Sequence, residues 1–344
     1  MIRMTVLASG SKGNSTIVAS SHTRILVDAG LSCRELMKRM QMSGEDPSAI
    51  DAVLVTHEHQ DHVQGVAVLA RKLGVPVYFT EATHRAWMRW MMPHKRMTYA
   101  DWLAQRKLDR NKQEELPGAL SGGDEVSFPA DSVKQVRGAE DPSELRANVE
   151  PERCSADEDL ETETPGKRAE AGPSNPCALP RVEFFTAGND FAIGDIAVTP
   201  FTIPHDAADP VGFVFESSGI RVGLATDLGY MPPNVKAALR KCDVLMLESN
   251  HDLEMLRDGP YPWSVKQRVM SRVGHLSNHA AAEFLEKNYD GYASYVVLAH
   301  LSECNNLPEL ARVGAERALR ERMSLLANQL LLAEQDRPLA PICL

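Results

Sequence analysis

Six apolar runs in this chain end on the same kind of residue, and that regularity constrains the fold more than any other feature. The run 24–27 stops at Asp28, 52–56 at His57, 198–204 at His205, 222–226 at Asp227, 244–247 at Glu248 and 296–299 at His300. One β-rich run ending on an imidazole or carboxylate is ordinary. Six predict buried strands that deliver metal-binding side chains to one rim of a sheet structure.

The densest group is Thr56-His57-Glu58-His59-Gln60-Asp61-His62. In extended chain, residues two apart share a side, so His57 and His59 can grip one cation. The chain then turns, and Asp61 and His62 can reach a second. Imidazole with carboxylate suits zinc, and manganese or iron less specifically. A polar loop rich in histidine is the bland alternative. Three His and one Asp within six residues, directly behind a buried strand, outweigh it.

Further strand-like runs lie at 4–8, 15–19, 75–79, 182–185, 212–216 and 221–225. Helical patterns lie between them. Ser32 with Glu35 forms a capping box that opens a helix over 34–40, and a helix over 63–73 stops at Gly74. Others are predicted at 234–240, 280–287 and 308–332. Early hairpins mixed with helices, rather than strict βαβ repetition, predict an α/β protein of two mixed sheets with helices on their outer faces.

Residues 139–180 hold eleven acids, four bases, six prolines and no aromatic residue. They supply seven of the ten net negative charges, so the acidity of the chain does not exclude a nucleic-acid partner for the rest. Such a stretch cannot bury enough surface to offset the entropy of ordering. It reads as a disordered insertion at about 113–180, interrupting a catalytic domain over 1–304, with a helical extension over 305–344 packing on the core. An ordered surface loop is the alternative. No apolar run approaches the roughly 20 residues that span a bilayer. Met1-Ile-Arg-Met-Thr-Val-Leu7 has no secretory pattern, and the six cysteines form no Cys-x-x-Cys pair. The expectation is a cytoplasmic protein without disulfides and without a membrane partner.

The His57–His62 segment resembles the signature of the metallo-β-lactamase superfamily, His-x-His-x-Asp-His after a strand. More closely, the chain resembles the exonuclease-like YycJ/WalJ branch of that superfamily. The matching stretches are Ala8-Ser-Gly-Ser-Lys-Gly-Asn-Ser15, Leu26-Val-Asp-Ala-Gly30, Pro204-His-Asp-Ala-Ala-Asp-Pro-Val-Gly212, Ala225-Thr-Asp-Leu-Gly-Tyr230, Leu247-Glu-Ser-Asn-His-Asp252, Gly274-His-Leu-Ser-Asn278 and Leu298-Ala-His-Leu-Ser302. The long acidic insertion departs from the compact pattern. The resemblance implies an αββα sandwich holding two divalent ions. His57, His59 and His205 would hold the first, Asp61, His62 and His300 the second, and Asp227 would bridge them. It also implies that His275 is catalytic, as in RNase Z-like phosphodiesterases, with Glu248 orienting it and Ser277 beside it.

Several residues admit two readings. Asp28 either orients the His-rich loop or forms a turn before Gly30. His275 is a general acid or part of a capping loop, and His251 is a substrate contact or local structure. Ser11, Lys12 and Asn14 belong to a Gly/Ser-rich loop that is either a phosphate nest or a plain hairpin connection. Residues 85–112 hold eight bases, Arg89 and Arg96 among them, against two acids, with Trp87, Trp90, Tyr99 and Trp102 interleaved. That stretch is a nucleic-acid track or a helical lid whose tryptophans pack on the core.

The function expected is a binuclear phosphodiesterase, a DNA exonuclease acting 5′ to 3′ on duplex as the resemblance implies. A metal-bridging hydroxide aimed by Asp61 would attack, and His275 would protonate the leaving oxygen. A hydrolase of small thioesters, lactones or β-lactams would share the metal centre without needing His275 or the basic stretch. A catalytically dead nucleic-acid scaffold would not need its ligand set intact.

Overall fold

The computed structural model describes residues 1–92, 175–320 and 329–344. The chain divides into two units, Met1–Pro93 with Ser174–Leu344, and His94–Pro173. The second lies outside the described residues. So do Arg96 and the insertion expected from about 113, apart from its last residues.

The first unit is two seven-stranded sheets. The first runs β14(Ile342–Cys343), β1(Arg3–Ala8), β2(Ser15–Ala19), β3(Arg24–Val27), β4(Ala52–Leu54), β5(Pro76–Phe79), β6(Arg181–Phe184). The second runs β13(Gln329–Leu332), β12(Tyr295–Ala299), β11(Val244–Glu248), β10(Ile220–Ala225), β9(Val211–Ser217), β8(Ile196–Thr202), β7(Phe191–Ile193). Both are mixed. Pairings are antiparallel from β14 to β3 and parallel from β3 to β6. In the other sheet they are parallel from β13 to β10 and antiparallel from β10 to β7.

Period-two alternation along buried strands builds three apolar layers. On β11, Val244 and Met246 face the first sheet, while Leu245 and Leu247 face helices. On β12, Val297 and Ala299 point inward and Val296 and Leu298 outward. On β3, Ile25 and Val27 point inward, and Leu26 meets Leu36, Met40 and Leu69 of the helices Cys33–Met42 and Val66–Leu73. The helices Asn278–Lys287 and Pro308–Leu319 cover the second sheet through Phe284, Leu285, Ala311 and Ala315. This is the αββα sandwich. Among the described residues no helix is long and apolar enough to cross a membrane.

Two boundaries need correction. The helix expected through residue 332 ends at Leu319, and the chain returns as strands, β13 in one sheet and β14 in the other. The tail therefore ties the two sheets together instead of forming a purely helical extension. Arg39, buried on Cys33–Met42, donates to Leu7 O at 3.1 Å and Gln335 O at 2.6 Å, fixing the tail on the first sheet. The expected insertion runs too far at its end. Cys177 is buried with its thiol 3.9 Å from Met88 O, and Arg71 donates to Pro176 O and Ala178 O.

Ile342 pairs with Met4 and lies in the inter-sheet layer. Ile342→Ala should lower stability by about 2–5 kcal/mol, the usual cost of such a core truncation. A urea melt showing less than about 1 kcal/mol would mean that the tail frays rather than packs.

Candidate metal centre

Three parallel strands in register, β10, β11 and β12, carry Asp227, Glu248 and His300 to one edge. Ala225 pairs with Leu247, and Glu248 pairs with Ala299, so Asp227 and His300 come one step later on either side of Glu248. From the other sheet, Val27 pairs with Leu54, which sets Asp28 beside the chain leading to His57. Val211 N donates to Thr56 O at 3.1 Å, joining the sheets there. Five described non-glycine residues have left-handed φ, and three of them are Asp28 (60°), Asp227 (61°) and His300 (55°). Each costs on the order of 1–3 kcal/mol, and the cost is concentrated where strands hand residues to the site.

Among the described residues three overlapping groups of side chains converge there: His57, His59 and His205; Asp61, His62, Asp227 and His300; and Asp227, Glu248, His275 and His300. Within each, candidate ligand atoms lie within 4.8 Å of one another. The first two groups fit a divalent ion; in the third, Glu248 Oε1 is taken up by two ring N–H groups. Thr56 Oγ1 donates to Asp28 Oδ2 and so accepts from His57 Nδ1 at 3.0 Å. His205 Nδ1 donates to Gly274 O at 3.1 Å. Each ring is thereby left with a lone pair on Nε2, and both Nε2 atoms lie 3.1 Å from His59 Nδ1. In the second group, His62 Nε2 lies 3.5 Å from Asp61 Oδ2 and 3.4 Å from Asp227 Oδ2. His300 Nε2 lies 3.5 Å from Asp61 Oδ2 and 3.3 Å from Asp227 Oδ1. Among the described residues the buried Asp227 Oδ2 accepts no well-aligned hydrogen bond, and a cation would satisfy it.

The supports explain how the rings are aimed. Asp28 accepts from His62 Nδ1 at 2.8 Å and from Thr56 N at 2.8 Å, so the orienting reading describes its contacts. Glu248 is fully buried. Its Oε1 accepts from His275 Nδ1 at 2.8 Å and His300 Nδ1 at 3.0 Å; its Oε2 accepts from Leu228 N and Leu276 N. Burial opposes its charge, but His275, through charge and hydrogen bond, and His300 outweigh burial and bring its pKa to about 2. Burial and the neighbouring His62 hold His57 well below the usual imidazole range. His62 and His300 go the other way. Burial disfavours their charge, yet Asp227 and the adjoining carboxylates raise both, His300 to about 10.

Of the two readings of the Gly/Ser-rich loop, phosphate nest or plain hairpin connection, its backbone contacts match the connection. Ser9 N donates to Glu334 O, Gly10 N to Asn14 Oδ1, Lys12 N to Gln335 Oε1, Gly13 N to Gly10 O and Asn14 N to Asp61 O. Those amides are committed, so they cannot cradle an anion. Asn14 instead sits on the site, its Nδ2 3.2 Å from Asp61 Oδ2 and 3.1 Å from His62 Nε2. A Cβ on Gly30 would fall 1.7 Å from Asp61 O and 2.5 Å from Asn14 N, so only glycine admits this contact. Ser11 is exposed, and Lys12 pairs with Glu303 at 2.8 Å.

His275 is brought against the cluster, with Nδ1 3.9 Å from Asp227 Oδ1. Ser277 is spent on the cap of Asn278–Lys287, its Oγ accepting from Ala280 N. His251 is only 1% exposed, its Nδ1 has no hydrogen-bond partner among the described residues, and burial pushes its pKa down to about 4; so buried a ring offers little surface to a substrate. In the basic stretch, Trp87 is buried and stacks on Phe79, as a packing lid would, whereas Arg89 and Trp90 are exposed. The rest of that stretch lies outside the described residues.

A two-sheet sandwich with these groups at one edge is the architecture of a metallohydrolase, and comparison agrees. Residues 8–136 match the Metallo-beta-lactamase superfamily and residues 144–301 the Beta-lactamase superfamily domain. Exodeoxyribonuclease YycJ of Bacillus anthracis is 31% identical over 324 residues, 93% of this chain and 90% of the relative. Exodeoxyribonuclease WalJ of Streptococcus pneumoniae is 29% identical over 311 residues, 90% and 86%. The metallo-β-lactamase fold protein YhfI from Bacillus subtilis shares the fold, with TM-score 0.55 at 11% identity and 98% of each chain covered. The chain belongs to the metallo-β-lactamase superfamily of metal-dependent hydrolases. Within it, its place is on the YycJ/WalJ branch.

The opposed pKa shifts make metal loading pH-dependent. His62 and His300, raised, carry protons at neutral pH and must release them to bind an ion. His57 and His205, lowered mainly by burial, are already neutral. Loading metal-free protein at pH 7 should release at least one proton per chain, and apparent affinity should rise with pH. Calorimetry in buffers of different ionisation enthalpy measures this. Release near zero would mean that the second cluster is not a metal site.

Proposed function

We propose that the chain is a binuclear phosphodiesterase that degrades duplex DNA from an end, 5′ to 3′ as the family resemblance implies. The exodeoxyribonuclease names of the two relatives support the substrate class. The observation that carries the chemistry is the double grip of Glu248, which holds His300 and His275 through one carboxylate oxygen.

In this reading His57, His59 and His205 hold one ion, Asp61, His62 and His300 the other, and the unsatisfied Asp227 is shared. Zinc suits this nitrogen and oxygen set, with manganese or iron as alternatives. The ions, when bound, acidify a water to make the nucleophile and neutralise charge on the phosphoryl oxygens. Everything else falls to the chain. Asp61, steadied by Asn14, lies beside His62 and His300 and aims the attacking water. Asp28, through His62 and Thr56, keeps the His-rich loop in place. His275 supplies the proton for the leaving oxygen. Its Nδ1–H is committed to Glu248, so a proton on the imidazolium's other nitrogen, Nε2, is the one to give. Among the described residues Nε2 has no partner, and the side chain is 21% exposed, open to a substrate. Ser277 contributes by capping the helix that follows. A small-ester hydrolase would have no need of this proton donor.

The protein should bind about two transition-metal ions per chain and lose activity in chelator. Saturation at one ion would end the binuclear assignment.

His275→Ala should keep near-normal metal content and lower turnover on DNA by roughly 100-fold or more. The leaving group tests its role. An alkoxide leaving from DNA needs a proton, while a nitrophenolate leaving from an artificial diester needs little help. The variant should therefore lose far more rate on DNA. His300→Ala should slow both substrates. Equal losses in His275→Ala with metal retained would assign it to charge stabilisation; lost metal would make it a ligand.

A further inference from the structure

Residues 259–282 contain Lys266, Arg268 and Arg272 and no acid, in a chain of net charge −10. The same stretch exposes Trp263 (62%), Met270 (41%) and Val273 (44%). It is fastened to the candidate centre. Gly274 O accepts from His205 Nδ1, Val273 O accepts from Asp206 N, and His275 follows directly. Gly229, two residues past Asp227, packs so tightly on this segment that a Cβ there would lie 2.3 Å from the Arg272 carbonyl carbon.

The three bases are used differently. Lys266 is buried, and its ammonium donates to Arg257 O and Gly259 O. Arg268 pairs with Asp206. Arg272 is exposed, makes no ion pair among the described residues, and lies with its guanidinium 4.2 Å from the centroid of the Tyr230 ring. Tyr230 stands three residues beyond Asp227, and Arg272 three before His275; three residues span at most about 11 Å. A flat cation is thus held at the rim by an aromatic ring, with its charge unspent.

We propose that Arg272 stacked on Tyr230 is a docking plate for a nucleotide next to the scissile phosphate. The guanidinium plane takes an unstacked base, and its edge N–H groups take that nucleotide's phosphate. The occupant is the unpaired end of a DNA strand, as at a frayed duplex terminus, because a paired base inside a duplex has no free face. Tyr230 holds the plane in one orientation, which reduces the entropy lost on binding. This rests on the DNA phosphodiesterase reading above and adds the groups that grip the strand.

The test is binding of a fluorescent single-stranded oligonucleotide to metal-loaded His275→Ala protein across a salt series. Adding Arg272→Ala should raise Kd by about 10-fold and flatten the log–log salt slope by roughly 0.7, one phosphate contact on a single strand. Adding Tyr230→Ala should raise Kd by about 5-fold or more, within the range of a lost stacking contact, and leave the slope in place. Arg272→Lys should restore the slope but not the full affinity. Unchanged Kd and slope in Arg272→Ala overturn the plate. Equal weakening on a closed duplex with no free strand end overturns the stacking of an unpaired base. DNA cleavage by the metal-loaded protein with His275 intact is measured alongside. If that protein does not cleave DNA, the underlying reading falls and the plate with it. If it cleaves while the variants bind normally, only the plate falls.

Discussion

A carboxylate with no exposure holds this site together. Glu248 would be costly to bury as an anion in an apolar sandwich, and four donors offset that cost: two imidazole N–H groups and two backbone amides. Because both imidazoles bond to the same oxygen, the candidate ligand His300 and the candidate acid His275 cannot be oriented independently. Truncating Glu248 would loosen both at once. The strand that carries it, β11, lies between the strands that carry Asp227 and His300, so the sheet register sets the spacing of all three.

The other half of the centre has the same logic with different parts. Asp28 does for the His-rich loop what Glu248 does for the far side. It accepts from a ring N–H, a hydroxyl and a backbone amide, and so leaves His62 with its other nitrogen facing the cluster. Left-handed backbone at Asp28, Asp227 and His300 is the cost of turning side chains from strand ends toward one point. The three apolar layers and the C-terminal strands that tie both sheets make that strain tolerable, since none of these residues can relax without disturbing buried packing.

The site is therefore crowded with groups that want a cation. Among the described residues Asp227 Oδ2 has no hydrogen-bond partner, lone pairs meet around His59, and the carboxylates raise His62 and His300 above the usual imidazole range. In such a place protons and metal compete for the same nitrogens, and pH sets the balance.

Much of this was legible in the chain itself. Buried strands are continuous apolar runs, and where such a run stops at His or Asp the stop is local information; all six such residues reach the same edge. The helix start at Ser32 and the stop at Gly74 are likewise local, set by a capping hydroxyl and by a left-handed turn. Contacts distant in sequence were not legible. Asn14 reads as part of a phosphate nest or a plain hairpin connection, and only the crossing of its loop over Asp61, 47 residues away, makes it a support for the cluster. Residues 329–332, Gln-Leu-Leu-Leu, have good helix propensity. They became a strand because β12 presented an unpaired parallel edge, which Leu330 and Leu331 fill opposite Val296 and Val297. Residue type and local periodicity decided which side chains could do the chemistry. Hydrogen bonds between distant segments decided which nitrogen each ring presents, and those exist only once the two sheets have closed on each other.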